Sequence, residues 1–298
     1  MRLGLGTAQF GSHYGVTNQQ GAVTGTVAKE ILQQADSAGV RIIDTAHLYP
    51  GSEAEIGRHL PPSATLRIVT KTPKFSACAT GAEMRTALSA AFTRSLDSLG
   101  LQQVYGLLTH DCQDLLGPLG AELWDAMCEL RDRGVVARIG ASVYLPEEAD
   151  ALLERYPLQL IQLPLNIFDR RFAHGGQLQR LAARGCEIHV RSVFMQGLVL
   201  ADPAQLEPRF APLGELLRAF VSTLEAAGMG RVEGALGSAL VLEEIGTICV
   251  GVTSASEFRE ILAAYEAAEQ SASSVDFERF ACGDERLVNP ARWVELEQ

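Results

Sequence analysis

Eight short apolar runs alternate with segments of helical periodicity along this chain, and that alternation limits its fold more than any other feature. The runs lie at Leu3–Thr7, Val40–Asp44, Leu66–Lys71, Val104–Thr109, Val136–Ala141, Leu158–Leu163, Glu187–Arg191 and Gly246–Gly251. Between them, Val27–Ala38, Glu53–Leu60, Ala82–Leu99, Glu122–Arg133, Pro146–Tyr156, Gln177–Ala183 and a stretch within Leu213–Ala227 read as amphipathic helices, and Ser256–Ala268 follows the last run. Eight strand-then-helix units predict an α/β protein whose parallel strands close into a (β/α)8 barrel of the TIM type. A doubly wound open sheet is the alternative, but no Gly-x-Gly-x-x-Gly follows the first strand.

Local signals support these cuts. Ser52 with Glu55 and Ser254 with Glu257 have the spacing of a capping box at a helix start. Gly39, Gly134 and Gly185 stand where a helix must stop before the next strand. The seventh unit carries an extra segment, 192–212, and a further helix-like stretch at Val232–Glu243. No linker or low-complexity run divides the chain, so a single domain over 1–298 is expected. Its tail, 271–298, matches no barrel unit and is expected to pack on the barrel.

With 47% hydrophobic residues in 298, the chain can fill a large core. A net charge of −11 and the lack of any Lys/Arg-rich run exclude a nucleic-acid surface. No apolar stretch is long enough to span a membrane, and the start shows no signal-peptide core. The six cysteines are scattered without a Cys-x-x-Cys pair, and the histidines lack metal-ligand spacing. A cytoplasmic protein with reduced thiols, without metal, membrane or nucleic-acid partners, is expected; the oligomeric state is left open.

In a parallel barrel, reactive groups sit where strands end at the C-terminal face. Asp44, Lys71 and His110 fall at such ends, and Tyr49 lies in the loop after the second strand. As a unit they suit proton donation to a carbonyl oxygen. An adjacent ammonium favours the phenolate and so lowers the pKa of a phenol, while a carboxylate keeps that ammonium charged. Tyr49 is then the candidate acid, Lys71 and Asp44 its tuning pair, and His110 a second donor that orients the carbonyl.

These residues belong to a longer ordered set. It comprises Leu5-Gly6-Thr7; Asp44-Thr45-Ala46-x-x-Tyr49-x-x-Ser52-Glu53-x-x-Ile56-Gly57; Thr70-Lys71; and Leu107-Leu108-Thr109-His110. Later come Gly134-x-x-x-x-Ile139-Gly140-x-Ser142, Gln162-x-x-x-Asn166 with Asp169-Arg170-Arg171, Gln196-Gly197-Leu198, and Gly251-x-Thr253-Ser254. In this set the chain resembles the aldo-keto reductase family. The resemblance implies reduction of an aldehyde or ketone to an alcohol by hydride transfer from a nicotinamide dinucleotide bound without a Rossmann domain, with Tyr49, Lys71, Asp44 and His110 in the roles just given. It also implies that Ser142 and Gln162 hold the nicotinamide carboxamide, and that Ser192, Gln196 and Gly197 lie along the pyrophosphate. Gly251, Thr253, Ser254 and Glu257 then meet the adenosine end, and Thr7, Asp44 and Arg191 complete the cofactor's surroundings. NADP (as NADPH) is the cofactor favoured by the resemblance, with NAD open.

Several positions depart from the family pattern. Pro50 replaces the usual glycine after the tyrosine and brings a fixed φ without an N–H. Val143 replaces a frequent asparagine, and Arg191 stands where many members stack a tyrosine on the nicotinamide. Glu257 falls where NADPH-preferring members carry an arginine for the 2′-phosphate, and Ile261 replaces an asparagine near the adenine.

Loops after the strands offer Phe10, His13, Tyr14, Leu48, Phe75, Asp111, Tyr144 and Phe194 as a substrate pocket. Aromatic groups beside a few polar ones suit a small carbonyl compound, either sugar-derived or aromatic. Two alternatives stand beside the reductase. One is a Schiff-base aldolase using Lys71, which needs a neutral lysine; the other is a nucleotide-binding barrel with a sensor or partner role.

Overall fold

The computed structural model describes residues 1–15, 18, 20–61 and 65–297. Its eight strands are β1 (Leu3–Gly6), β2 (Ile42–Asp44), β3 (Arg67–Lys71), β4 (Val104–Thr109), β5 (Val136–Ser142), β6 (Leu160–Pro164), β7 (Glu187–Arg191) and β8 (Ile245–Gly251). All neighbours pair in parallel, and β8 returns to β1 to close the barrel. The surrounding helices are α1 (Gly25–Ser37), α2 (Ser52–His59), α3 (Gly81–Leu99), α4 (Gln113–Leu116), α5 (Gly120–Asp132) and α6 (Pro146–Arg155). Then come α7 (Arg171–His174), α8 (Gln177–Ala183), α9 (Gly214–Ala227), α10 (Arg231–Leu240), α11 (Ala255–Ser271) and α12 (Glu285–Val288). The predicted strand-helix order is therefore observed, with helix stops at Gly39, Gly134 and Gly185, all at positive φ. No described helix is long and apolar enough to cross a membrane.

Most of the apolar core lies between strands and helices, where both faces of each strand are covered. Inside the barrel the apolar layer is thin. Ile42, Val69, Leu108 and Leu160 form a separate buried cluster there, one residue from each of β2, β3, β4 and β6. Side chains on a strand return to the same face every second residue. Two positions beyond these four stand Asp44, Lys71, His110 and Gln162. One apolar layer thus becomes the floor under four polar groups.

One expected cap is absent. Ser52 does not cap α2; Gly51 holds the N-cap position with φ 76°. The Ser52 hydroxyl donates to the Thr7 carbonyl at 2.9 Å and meets the hydroxyls of Thr7 and Thr45 at 2.8 and 2.9 Å. Glu55 instead accepts from the Gly25 N–H at 2.9 Å. Side-chain partners across the barrel win over the local box.

Beyond α11, the tail packs against the loops after β6 and β7. The Cys282 N–H donates to the Phe168 carbonyl at 2.8 Å, the buried Arg170 pairs with Glu278, and Trp293 meets Phe210 edge-on at 4.8 Å.

Candidate active site

A cavity of about 590 Å³ opens at the C-terminal ends of the strands. Its floor is the Asp44–Lys71 pair. Lys71 Nζ donates to Asp44 Oδ1 at 2.6 Å and to the Thr45 carbonyl at 2.9 Å, and both side chains are buried. The same Oδ1 accepts from Gln162 Nε2 at 2.8 Å. One carboxylate oxygen therefore fixes two neighbours on β3 and β6. Gln162 Oε1, turned the other way, is buried with no partner.

Tyr49 stands over this pair. Lys71 Nζ lies 5.2 Å from its ring centroid, and the His110 ring meets it edge-on at 5.9 Å. Its loop is short and tightly bound. Tyr49 N–H donates to the Ala46 carbonyl at 3.0 Å, and the Tyr49 carbonyl accepts from Ser52 N–H at 3.1 Å. With φ 76° and ψ −12° at Gly51, the sequence Tyr49-Pro50-Gly51-Ser52 is a type II turn, which favours proline at its second position and glycine at its third. Pro50 accordingly costs the loop nothing. Gly11 presses on this turn, since a Cβ there would stand 2.7 Å from the Pro50 carbonyl oxygen.

Charge states follow from burial and neighbours. Burial raises the pKa of the Tyr49 phenol and outweighs the lowering by Lys71, so the expectation of a net lowering is corrected: the resting group is a phenol. Burial opposes the Lys71 ammonium, but the Asp44 charge, Tyr49 and the Asp44 hydrogen bond more than compensate, and its pKa rises. A charged Lys71 is the reverse of what Schiff-base chemistry requires. His110 is pushed down to about 4 by burial and then by the Lys71, Lys74 and Arg191 charges, against Asp44. Cys249, a cavity-lining thiol, is raised well above its ordinary value by burial and by Asp44.

The far side of the cavity is built by the β7 loop and the start of α11. Ser192, Met195 and Gln196 take positive φ of 65°, 48° and 55°, followed by Gly197 at 95°. Such a backbone costs an L-residue roughly 1–2 kcal/mol at each position. Met195 is wholly buried, and Asn166 Nδ2 donates to the Ser192 carbonyl at 3.3 Å, so packing and a side chain hold the loop. At α11, Ser254 Oγ accepts from Glu257 N–H at 3.1 Å. Glu257 Oε2 accepts from Thr253 N–H at 2.7 Å and Thr253 Oγ1 at 2.8 Å. The predicted pairing of Ser254 with Glu257 is present, with the carboxylate laid on the helix start.

All residues assigned to the cofactor except Thr7 line this cavity. Thr7 is fully buried below it, its hydroxyl donating to the Asp44 carbonyl at 2.8 Å. The substrate set divides. Tyr14, Tyr144 and Phe194 line the cavity; Phe10, His13, Leu48, Phe75 and Asp111 do not. Phe10 and Phe75 are core residues. His13 is held by the Asn18 carbonyl at 2.7 Å, Asp111 pairs with Lys74 at 3.5 Å, and Leu48 is exposed. Sequence reasoning missed Gln9, Cys249 and Glu260. Cys249 precedes Gly251 by two on β8, so strand alternation could have found it. Gln9 gives no signal by type, yet its Oε1 is buried without a partner, and a Cβ on Gly251 would come within 2.5 Å of that atom.

The profile of the aldo/keto reductase family matches residues 2–276. The chain belongs to the aldo/keto reductase family. It is therefore an oxidoreductase of a family that uses nicotinamide cofactors. No curated protein matches the sequence. Among solved structures, the chain is similar to an aldo-keto reductase from Bacillus halodurans in its holo form, with 19% identity over 98% of this chain and 94% of that one and a TM-score of 0.70. A glycerol dehydrogenase from Gluconobacter oxydans is 19% identical, with 92% and 90% covered and a TM-score of 0.68. An aldo-keto reductase from a Medee basin deep-sea metagenome library is also 19% identical, with 93% and 92% covered and a TM-score of 0.62. These likenesses agree on the barrel.

With burial and three cations holding its imidazole neutral, His110 should titrate with a midpoint near 4 and show none between pH 6 and 7. NMR of ring-labelled histidine in the wild type and a His110→Gln variant would identify the resonance and read the midpoint.

Proposed function

We propose that this member of the family reduces an aldehyde or ketone to the alcohol, with Tyr49 as the proton donor. The observation that carries the reading is the shared oxygen of Asp44, which holds the Lys71 ammonium beside the phenol and at the same time engages the Gln162 amide N–H, leaving Oε1 of this cavity-lining residue buried without a partner. That unpaired buried acceptor suits the amide N–H of a nicotinamide carboxamide, because a buried acceptor left unmade is costly. The close seat of Gly251 on Gln9 and the left-handed backbone at Ser192, Met195, Gln196 and Gly197 suit a dinucleotide lying against main chain. A bound reduced nicotinamide supplies the hydride.

The protein's part is then proton and charge handling. Burial keeps Tyr49 protonated until the carbonyl oxygen gains negative charge. Tyr49 Oη gives up its proton to that oxygen, and the Lys71 ammonium stabilises the phenolate left behind. His110, as a neutral imidazole, donates one hydrogen bond to the same oxygen. The carbonyl carbon gains the hydride and the oxygen the proton, which balances the reduction. A positioned acid of this kind contributes about 10²–10⁴-fold.

The cofactor reading shifts from the family expectation. Glu257 lies on the start of α11, and Glu260 lines the same end of the cavity. A 2′-phosphate there would meet like charge, whereas ribose hydroxyls can donate to a carboxylate. We read NADH as the favoured cofactor, ahead of NADPH.

Tyr49→Phe should lower kcat by at least about 10²-fold while leaving cofactor affinity within twofold, since only the acid is removed. Steady-state rates with a test aldehyde, beside a fluorescence titration of the cofactor, check both halves; equal rates would remove Tyr49 from the role. In the same titration NADH should bind more tightly than NADPH, and Glu257→Gln should narrow the gap by roughly tenfold, the size of a like-charge contact at partial burial. Tighter binding of NADPH by the wild type would reverse the assignment.

A further inference from the structure

Arg191 is a cavity-lining cation whose charge the reductase chemistry above does not use. It closes β7, and its side chain crosses β6 to reach the end of β5. Nη2 donates to the Val143 carbonyl at 3.1 Å, Nη1 reaches Ser192 Oγ at 3.5 Å, and the guanidinium lies 4.1 Å from the centroid of the Tyr144 ring. A guanidinium has five N–H donors, and these contacts occupy two groups. Among the described residues no carboxylate pairs with it. Elsewhere in the barrel the arrangement differs: Arg138 pairs with Glu187, Arg170 with Glu278 and Arg171 with Asp169.

The charges along the cavity are unevenly spread. Asp44 is matched by Lys71 on the floor. Glu257 and Glu260 lie at the α11 end, beyond β8, on the side away from which Arg191 turns. Around Tyr49 and His110 this leaves Arg191 as a cation without a counter-ion, with Tyr14 and Tyr144 as neutral walls. The depressed basicity of His110 agrees, since Lys71, Lys74 and Arg191 all act on it as positive charges. A half-buried guanidinium held flat on an aromatic ring, with N–H groups still to satisfy, is suited to a planar or tetrahedral oxyanion.

We propose that Arg191 receives an anionic group of the substrate, and that the carbonyl compound reduced here carries a carboxylate or a phosphate. The proposal rests on the reductase reading and adds the substrate class. The anionic group is a handle; it is unchanged when the carbonyl carbon takes the hydride and the oxygen takes the Tyr49 proton.

The test compares matched pairs with the NADH-loaded enzyme: 4-oxobutanoate against butanal, and glyceraldehyde 3-phosphate against glyceraldehyde. The wild type should prefer the anionic member of at least one pair by tenfold or more in kcat/KM, and the pair that shows it distinguishes carboxylate from phosphate. Arg191→Gln should reduce that preference at least tenfold, and Arg191→Lys, which keeps the charge without the fork, should restore part of it. A second arm needs no turnover. Calorimetric titration of the NADH-loaded enzyme with succinate and with inorganic phosphate should show binding of the preferred anion, weakened at least tenfold in Arg191→Gln. Equal reduction of charged and neutral members, with no anion binding in the calorimeter, overturns the proposal and leaves the reductase reading intact. A tenfold loss of NADH affinity in Arg191→Gln with unchanged substrate preference also overturns it, assigning the guanidinium to the cofactor. Failure to oxidise NADH with any of the four compounds counts against the reductase reading, and the calorimetric arm then decides the anion site by itself.

Discussion

The site depends on one buried contact, Lys71 Nζ to Asp44 Oδ1 at 2.6 Å. Taking two charges out of water is expensive, and a buried pair holds only when the geometry is good and further hydrogen bonds satisfy both partners. Here the Thr45 carbonyl satisfies the lysine and the Gln162 amide satisfies the aspartate. The interaction therefore adds little to stability by itself. It sets a charge and an orientation together: an ammonium fixed beneath Tyr49, and an amide held by its N–H with its oxygen left unpartnered. Removing either partner would leave an uncompensated charge in the barrel.

Strand geometry explains how such a group assembles. Ile42, Val69, Leu108 and Leu160 form an apolar layer inside the barrel, and Asp44, Lys71, His110 and Gln162 lie two residues further along. Period-two alternation carries four residues, separated by up to 118 positions, from that layer into the lining of one cavity. Elsewhere around that cavity the chain accepts backbone strain. Three left-handed non-glycine residues after β7 are held by the buried Met195 and by Asn166, where a ligand can lie against main-chain groups.

The barrel was legible because its signals are local and repeated: apolar runs of strand length, helical periodicity between them, and glycines at helix ends. That Asp44, Tyr49, Lys71 and His110 would meet in one cavity was legible because Asp44 and Lys71 close strands, His110 follows one directly and Tyr49 lies in the loop after another. Tertiary partners produced the differences. Ser52 and Glu55 have capping-box spacing, but Thr7, Thr45 and the Gly25 N–H offered better bonds. Phe10 and Phe75 sit in loops by sequence, yet burial of their rings in the core removes them from the cavity. Pro50 looked like a disturbance of the tyrosine loop until Gly51 completed a type II turn around it. The sign of the Tyr49 shift could not be read from neighbours alone, because desolvation, invisible in sequence, exceeds the effect of Lys71.

The shared carboxylate is the central claim, and Asp44→Ala tests it most directly. One substitution removes the charge that holds Lys71 and the acceptor that orients Gln162. Single-turnover hydride transfer in the NADH-loaded variant, measured beside NADH affinity by fluorescence, reads the two roles separately. The account predicts that both fall together, transfer by at least about 10²-fold and affinity by roughly tenfold, as expected for a lost acid function and a lost buried hydrogen bond. Retention of wild-type hydride transfer, or loss of transfer with cofactor affinity untouched, would contradict it.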